Sequence, residues 1–133
     1  MDFHGEIVFS IKNNKEFQTD FTKLIGLNPT KVINRGHKVT SFLTAEYYLW
    51  LYRIDFQDHC SFNKNLLFLC QMLRGKNKAV ESALNNYIST TINIYIRSEY
   101  AQIGFSIPKE VTNYINELGL DIDIHILSFG LVE

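Results

Sequence analysis

At 133 residues the chain has the length of one domain, residues 1–133, and can bury about two-thirds of its unfolded surface without a metal or disulfide staple. Its hydrophobic fraction of 46% is ordinary for a globular protein, and ten Phe and seven Tyr suit a compact, sheet-rich core. A net charge of −1 argues against broad attraction to nucleic acid or membrane, and the longest apolar run, NLLFLCQML, is far too short to span a bilayer. The first residues carry no secretory signal pattern, so a cytoplasmic protein is expected, with Cys60 and Cys70 as free thiols.

The first element is a strand. EIVFSIK places Ile7, Phe9 and Ile11 on one side with period two. Asn13 or Asn14 is expected to cap a helix over residues 15–25, whose Phe17, Phe21, Leu24 and Ile25 recur at helical spacing. Gly26 stands where a left-handed C-cap belongs, and Pro29 prevents continuation. KLIGLNPTKVINRGHKV therefore reads as a helix stop, a short strand at TKVI and a turn at NRGHK. A phosphate cradle would place its glycines ahead of a helix, and here the glycine follows one.

EYYLWLYRI is the next strand, largely apolar on both sides and so expected to lie centrally in a sheet. Ser61 is the expected cap of a helix carrying Leu66, Leu67, Leu69, Cys70 and Leu73 and ending at Gly75. A second helix, Asn77 to Tyr87, shows Val80, Ala83, Leu84 and Tyr87 on one face. TTINIYIRS buries Ile92, Ile94 and Ile96, and AQIGFSI alternates again through Ile103, Phe105 and Ile107, with SEYA between them as a hairpin connection. Pro108 opens a helix with Val111, Tyr114, Ile115 and Leu118 inward, and Gly119 stops it. DIDIHILSF is the last strand, with Ile122, Ile124 and Ile126 expected inward. FTKLIGLNPTKV and YINELGLDIDI echo each other, both running from an amphipathic helix through Gly-Leu into a strand. The elements predict an α+β fold, a two-layer sandwich of a mostly antiparallel sheet with helices on one face.

Chemistry is sparsely signalled. Asp121, Asp123 and His125 share one side of the last strand, where a carboxylate beside an imidazole could orient it as a base, although any solvated sheet face has the same spacing. DHC, Asp58 to Cys60, falls short of the four ligands of a structural zinc site, and His4 and His37 add no spacing pattern. No metal, cofactor or catalytic residue is assigned. Lys31, Arg35, His37 and Lys38 cluster at the turn and offer a grip on an anion or acidic partner, with a solvated turn as the simpler reading. Asn93, Tyr95, Arg97, Asp123 and His125 make a flat polar and aromatic surface of the kind enriched in protein interfaces.

Three segments stand out, F…LIGLNPTKVINRGH, YYLWLYRID before a leucine-rich helix, and GFSIPKEVTNYINELGLDIDIHIL, and the resemblance that rests on them extends over nearly the whole chain. In them the sequence resembles the bacterial domain-of-unknown-function family numbered four-two-seven-nine. The resemblance implies a small α+β protein with no established catalytic residues, and by analogy an immunity-type protein. The reading is therefore a non-enzymatic binding protein that neutralises a bacterial toxin domain by direct contact, through Tyr95, Arg97, Asp123 and His125 or the Arg35–His37 turn. The alternative is a small-ligand domain or modest enzyme using Asp123 and His125 with Arg97. A third is a homo-oligomer that pairs through its first or last strand, if that strand lies at a sheet edge.

Overall fold

The computed structural model describes residues 2–132. Its elements run β1 (His4–Asn13), α1 (Gln18–Ile25), β2 (Lys31–Ile33), β3 (Tyr48–Phe56), α2 (His59–Arg74), α3 (Asn77–Asn86), β4 (Ser89–Tyr100), α4 (Lys109–Leu118) and β5 (Asp121–Leu131). The five strands form one sheet in the order β2-β3-β1-β4-β5. β1 pairs antiparallel with β3 and β4, β2 pairs antiparallel with β3, and β5 lies parallel to β4. The fold is α+β with a mostly antiparallel sheet, as the element pattern predicts.

The core lies on the helix side of the sheet. Ile7, Phe9 and Ile11 of β1, Trp50 and Phe56 of β3 and Ile92, Ile94 and Ile96 of β4 are buried against Phe21 and Ile25 of α1, Phe62, Leu66, Leu69 and Leu73 of α2, Val80 and Ala83 of α3 and Val111 of α4. Trp50 is central to this layer. Its ring meets Phe21 edge-on at 4.9 Å, and its indole N–H donates to Thr22 Oγ1 at 2.9 Å, so the buried polar atom is satisfied. Buried Gln18 ties α1 to the end of β2 by donating to the Ile33 carbonyl at 3.2 Å. The helix-to-strand echo is real in the backbone. Gly26 and Gly119 both take left-handed angles, φ 70° and 72°, and each leads through a leucine toward a strand at one edge of the sheet.

Several local expectations are corrected. Neither Asn13 nor Asn14 caps α1: the helix begins at Gln18 after Phe17, without a side-chain cap, and the Asn13 amide donates to the Lys15 carbonyl instead. Leu24 points outward. The cap of α2 is Asp58, which accepts from the Ser61 N–H at 2.7 Å, while Ser61 returns a bond as the third residue of a capping box. β3 is an interior strand, but the centre of the sheet is β1.

The largest correction concerns 101–107. β4 continues through Ser98, Glu99 and Tyr100, so SEYA makes no hairpin, and residues 101–107 form no strand. Ile103, Phe105 and Ile107 do alternate inward and pack on the core, Phe105 lying edge-on to Phe62 at 5.8 Å. Alternation in this segment comes from an extended chain lying across the core with no ladder partner. The chain then passes through α4, the crossover that a parallel β4–β5 pair requires. β5 thus becomes an edge, and Ile124 and Ile126, expected inward, are 40% and 53% exposed because the helix layer does not reach them.

Candidate functional site

Strand pairing brings alternate side chains onto the sheet face opposite the helices. The register aligns Glu6, Val8 and Ser10 of β1 with Asp55, Arg53 and Leu51 of β3 and with Tyr95, Asn93 and Thr91 of β4. Beyond β4, Asp121, Asp123 and His125 stand beside Thr91, Asn93 and Tyr95. The surface anticipated from Asn93, Tyr95, Arg97, Asp123 and His125 therefore exists as one face of two adjacent strands.

Its geometry separates the roles of these residues. Tyr95 and His125 stack nearly parallel, 11° between planes and 4.7 Å between centroids, and His125 Nε2 lies 3.4 Å from Asn93 Oδ1. This pairing fixes an aromatic platform of two rings, one half-buried and one exposed. Arg97 is tied down inside the face: its guanidinium makes a two-pronged pair with the Glu6 carboxylate, one bond at 3.0 Å and a second, shorter one between Nη1 and Oε2. That bond holds the Glu6 carboxyl below its usual range and raises Arg97 above its own. Arg97 is thus a cross-strand fastener first and a contact residue second. Asp123 is exposed beside the platform.

A shallow hollow of about 200 Å³ opens on the same face toward β2, lined by Glu6, Ser10, Lys31, Arg53, Asn93 and Tyr95 among others. Lys31, singled out for the turn cluster, belongs here: it pairs with Leu51 at the β2–β3 edge. The hollow was not legible in sequence, because four strands separated in the chain build it.

Arg35 and His37 lie elsewhere. The connection from β2 to β3 folds back on itself through hydrogen bonds from the Gly36 N–H to the Ala45 carbonyl and from the Ala45 N–H to the His37 carbonyl, both 2.8 Å. Arg35 lines a hollow of about 470 Å³ with Asn14, Glu46 and Tyr47, while both Arg35 and His37 are exposed. This loop leaves the β2 edge of the sheet and the Tyr95–His125 platform lies at the β5 edge, so the six candidate residues form two separate patches. The loop tip carries an apolar cluster that sequence reasoning passed over, Val39, Phe42 and Leu43, with Phe42 96% exposed. The local run VTSFL was its signal.

The DHC segment serves the N-terminus of α2. Asp58 is the cap, and its carboxyl is held low by the Ser61 N–H. His59 Nδ1 rests 3.5 Å from Asp2, and Cys60 Sγ lies 3.6 Å from His59 Nε2. Among the described residues no three His, Cys, Asp or Glu side chains converge as a metal site, and no helix is long and apolar enough to cross a membrane.

Residues 4–129 match the model of a family described as a domain of unknown function, DUF4279. The chain belongs to that family. The match spans β1 to the end region of β5, so the sheet, the stacked platform and the β2–β3 loop all lie within the family domain. No curated protein and no solved structure matches the chain.

Proposed function

We propose that this DUF4279 chain is a non-enzymatic binding protein, an immunity-type partner that neutralises a bacterial toxin domain by direct contact. The observation that carries this reading is the sheet face left uncovered by helices, with a fixed Tyr95–His125 stack at its β5 side. Four long strands, β3, β1, β4 and β5, at about 4.8 Å spacing and some ten residues at about 3.3 Å rise span roughly 20 by 30 Å. That is close to the area of about 800 Å² one partner contributes to a standard interface. Tyr and Arg are the side chains that anchor such contacts, and here the Glu6 pair pre-positions Arg97. The hollow of about 200 Å³ on this face is smaller than the roughly 300–1,000 Å³ of small-molecule sites, which favours a macromolecular partner at this face. Cytoplasmic residence belongs to the same proposal, since an immunity partner meets its toxin where the toxin acts.

The test is a growth assay. The C-terminal region encoded by the gene immediately upstream is induced in a susceptible host, with and without this chain. Rescue of growth with a co-purifying complex, weakened roughly tenfold or more by the Tyr95→Ala and His125→Ala pair, is the expected result. Toxicity that this chain does not relieve would overturn the proposal.

A further inference from the structure

β5 is an exposed edge of unusual character. It is eleven residues long, it pairs only with β4 among the described residues, and it contains no Lys, Arg or Pro. Edge strands are ordinarily kept apart by short length, a lysine, a proline or a covering element. The opposite edge, β2, obeys that rule with three residues beginning at Lys31. β5 does not.

Its sequence is also self-complementary. Asp121–Leu127 reads DIDIHIL, with isoleucines placed symmetrically about Ile124. We infer that β5 pairs antiparallel with β5 of a second copy, with the twofold axis at Ile124, joining two five-stranded sheets into one of ten strands. Residues facing each other across an antiparallel pair lie on the same sheet face. In this register Ile124 meets itself and Ile122 of each copy meets Ile126 of the other, closing the isoleucine row that the helix layer leaves exposed. On the other face Asp123 of each copy meets His125 of the other, a carboxylate opposite an imidazole with a ring N–H to offer, and Asp121 meets Leu127. No like charges oppose each other. An isologous strand contact of this kind closes on itself at two copies.

Apolar surface lies within the paired segment. Ile124, Ile126 and Leu127 are between 40% and 53% exposed. At roughly 200 Å² for a large side chain they offer on the order of 300 Å² per copy. The backbone edge of the strand adds to this, for a contact smaller than the standard interface of about 800 Å² per partner. The inference does not depend on the toxin reading, although dimerisation would place the two Tyr95–His125 platforms side by side on one continuous face.

Sedimentation velocity of the purified full chain over a micromolar concentration range tests it. A dimer is expected, and Ile124→Lys should give a monomer that still unfolds cooperatively, since Ile124 is already part exposed, with a melting temperature lowered only by the loss of the partner. His125→Asp, which sets two acidic groups against each other twice, should weaken the dimer roughly tenfold. The exchange Asp123→Lys with His125→Asp should restore it. A monomeric wild type, or a dimer indifferent to Ile124→Lys, would overturn the inference, and a dimer indifferent to the charge exchange would overturn the register.

Discussion

Removing the Arg97 guanidinium decides whether that residue works inside the fold or outward from it. Arg97 reaches from β4 to Glu6 on the central strand through two charge-assisted hydrogen bonds. The side chains are 37% and 22% exposed. Fully exposed pairs contribute about 0.2–1 kcal/mol and hydrogen bonds to charged groups about 1.5–3 kcal/mol. Solvent screening at this partial exposure places the coupling near 1 kcal/mol. Arg97→Met, Glu6→Gln and the double variant form a cycle, read by urea unfolding with fluorescence of the single tryptophan, Trp50, which is buried when folded. The pH dependence follows from the sign of the shift. The folded Glu6 carboxyl sits below its ordinary value of 4.5, chiefly through the Arg97 hydrogen bond. The stabilisation is therefore complete above that ordinary value and is lost as pH falls through the lower folded one. Coupling should appear at neutral pH and vanish in strong acid. No measurable coupling at neutral pH, or coupling that persists unchanged in acid, would refute the reasoning.

Two further outcomes follow from packing. Gly5→Ala should cost about 3 kcal/mol or more, because a β carbon there would lie 1.8 Å from the Tyr95 carbonyl oxygen and force β1 away from β4; a variant melting like the wild type would contradict the register. Cys60 is exposed, whereas Cys70 is buried in α2 with its thiol pushed up to about 11 by burial. A disulfide reagent at neutral pH should therefore titrate one thiol in the native protein and the second only on unfolding; two thiols of equal native reactivity would count against the placement of α2.

Much of the candidate face was legible early because period-two spacing assigns Tyr95, Arg97, Asp123 and His125 to one side of their strands without knowledge of the fold. What spacing does not carry is partnership. Spacing marks Arg97 as a contact residue, and only the β1–β4 register reveals that Glu6, ninety-one residues away, engages it first. Arg35 and His37 are the alternative contact in the sequence, and only the strand order shows that their loop leaves the opposite edge of the sheet from the platform.

The chain by itself determined its α+β class, the buried sides of β1 and β4 and the glycine stops of α1 and α4, all of which follow from side-chain periodicity and local backbone preference; its family was legible in the particular residues of three segments. Tertiary structure decided the rest. Residues 101–107 alternate like a strand yet find no ladder, since a neighbouring strand is a non-local condition that alternation cannot supply. Ile124 and Ile126 have the inward pattern of a core strand, but β5 lies past the last helix, and burial depends on what covers a residue.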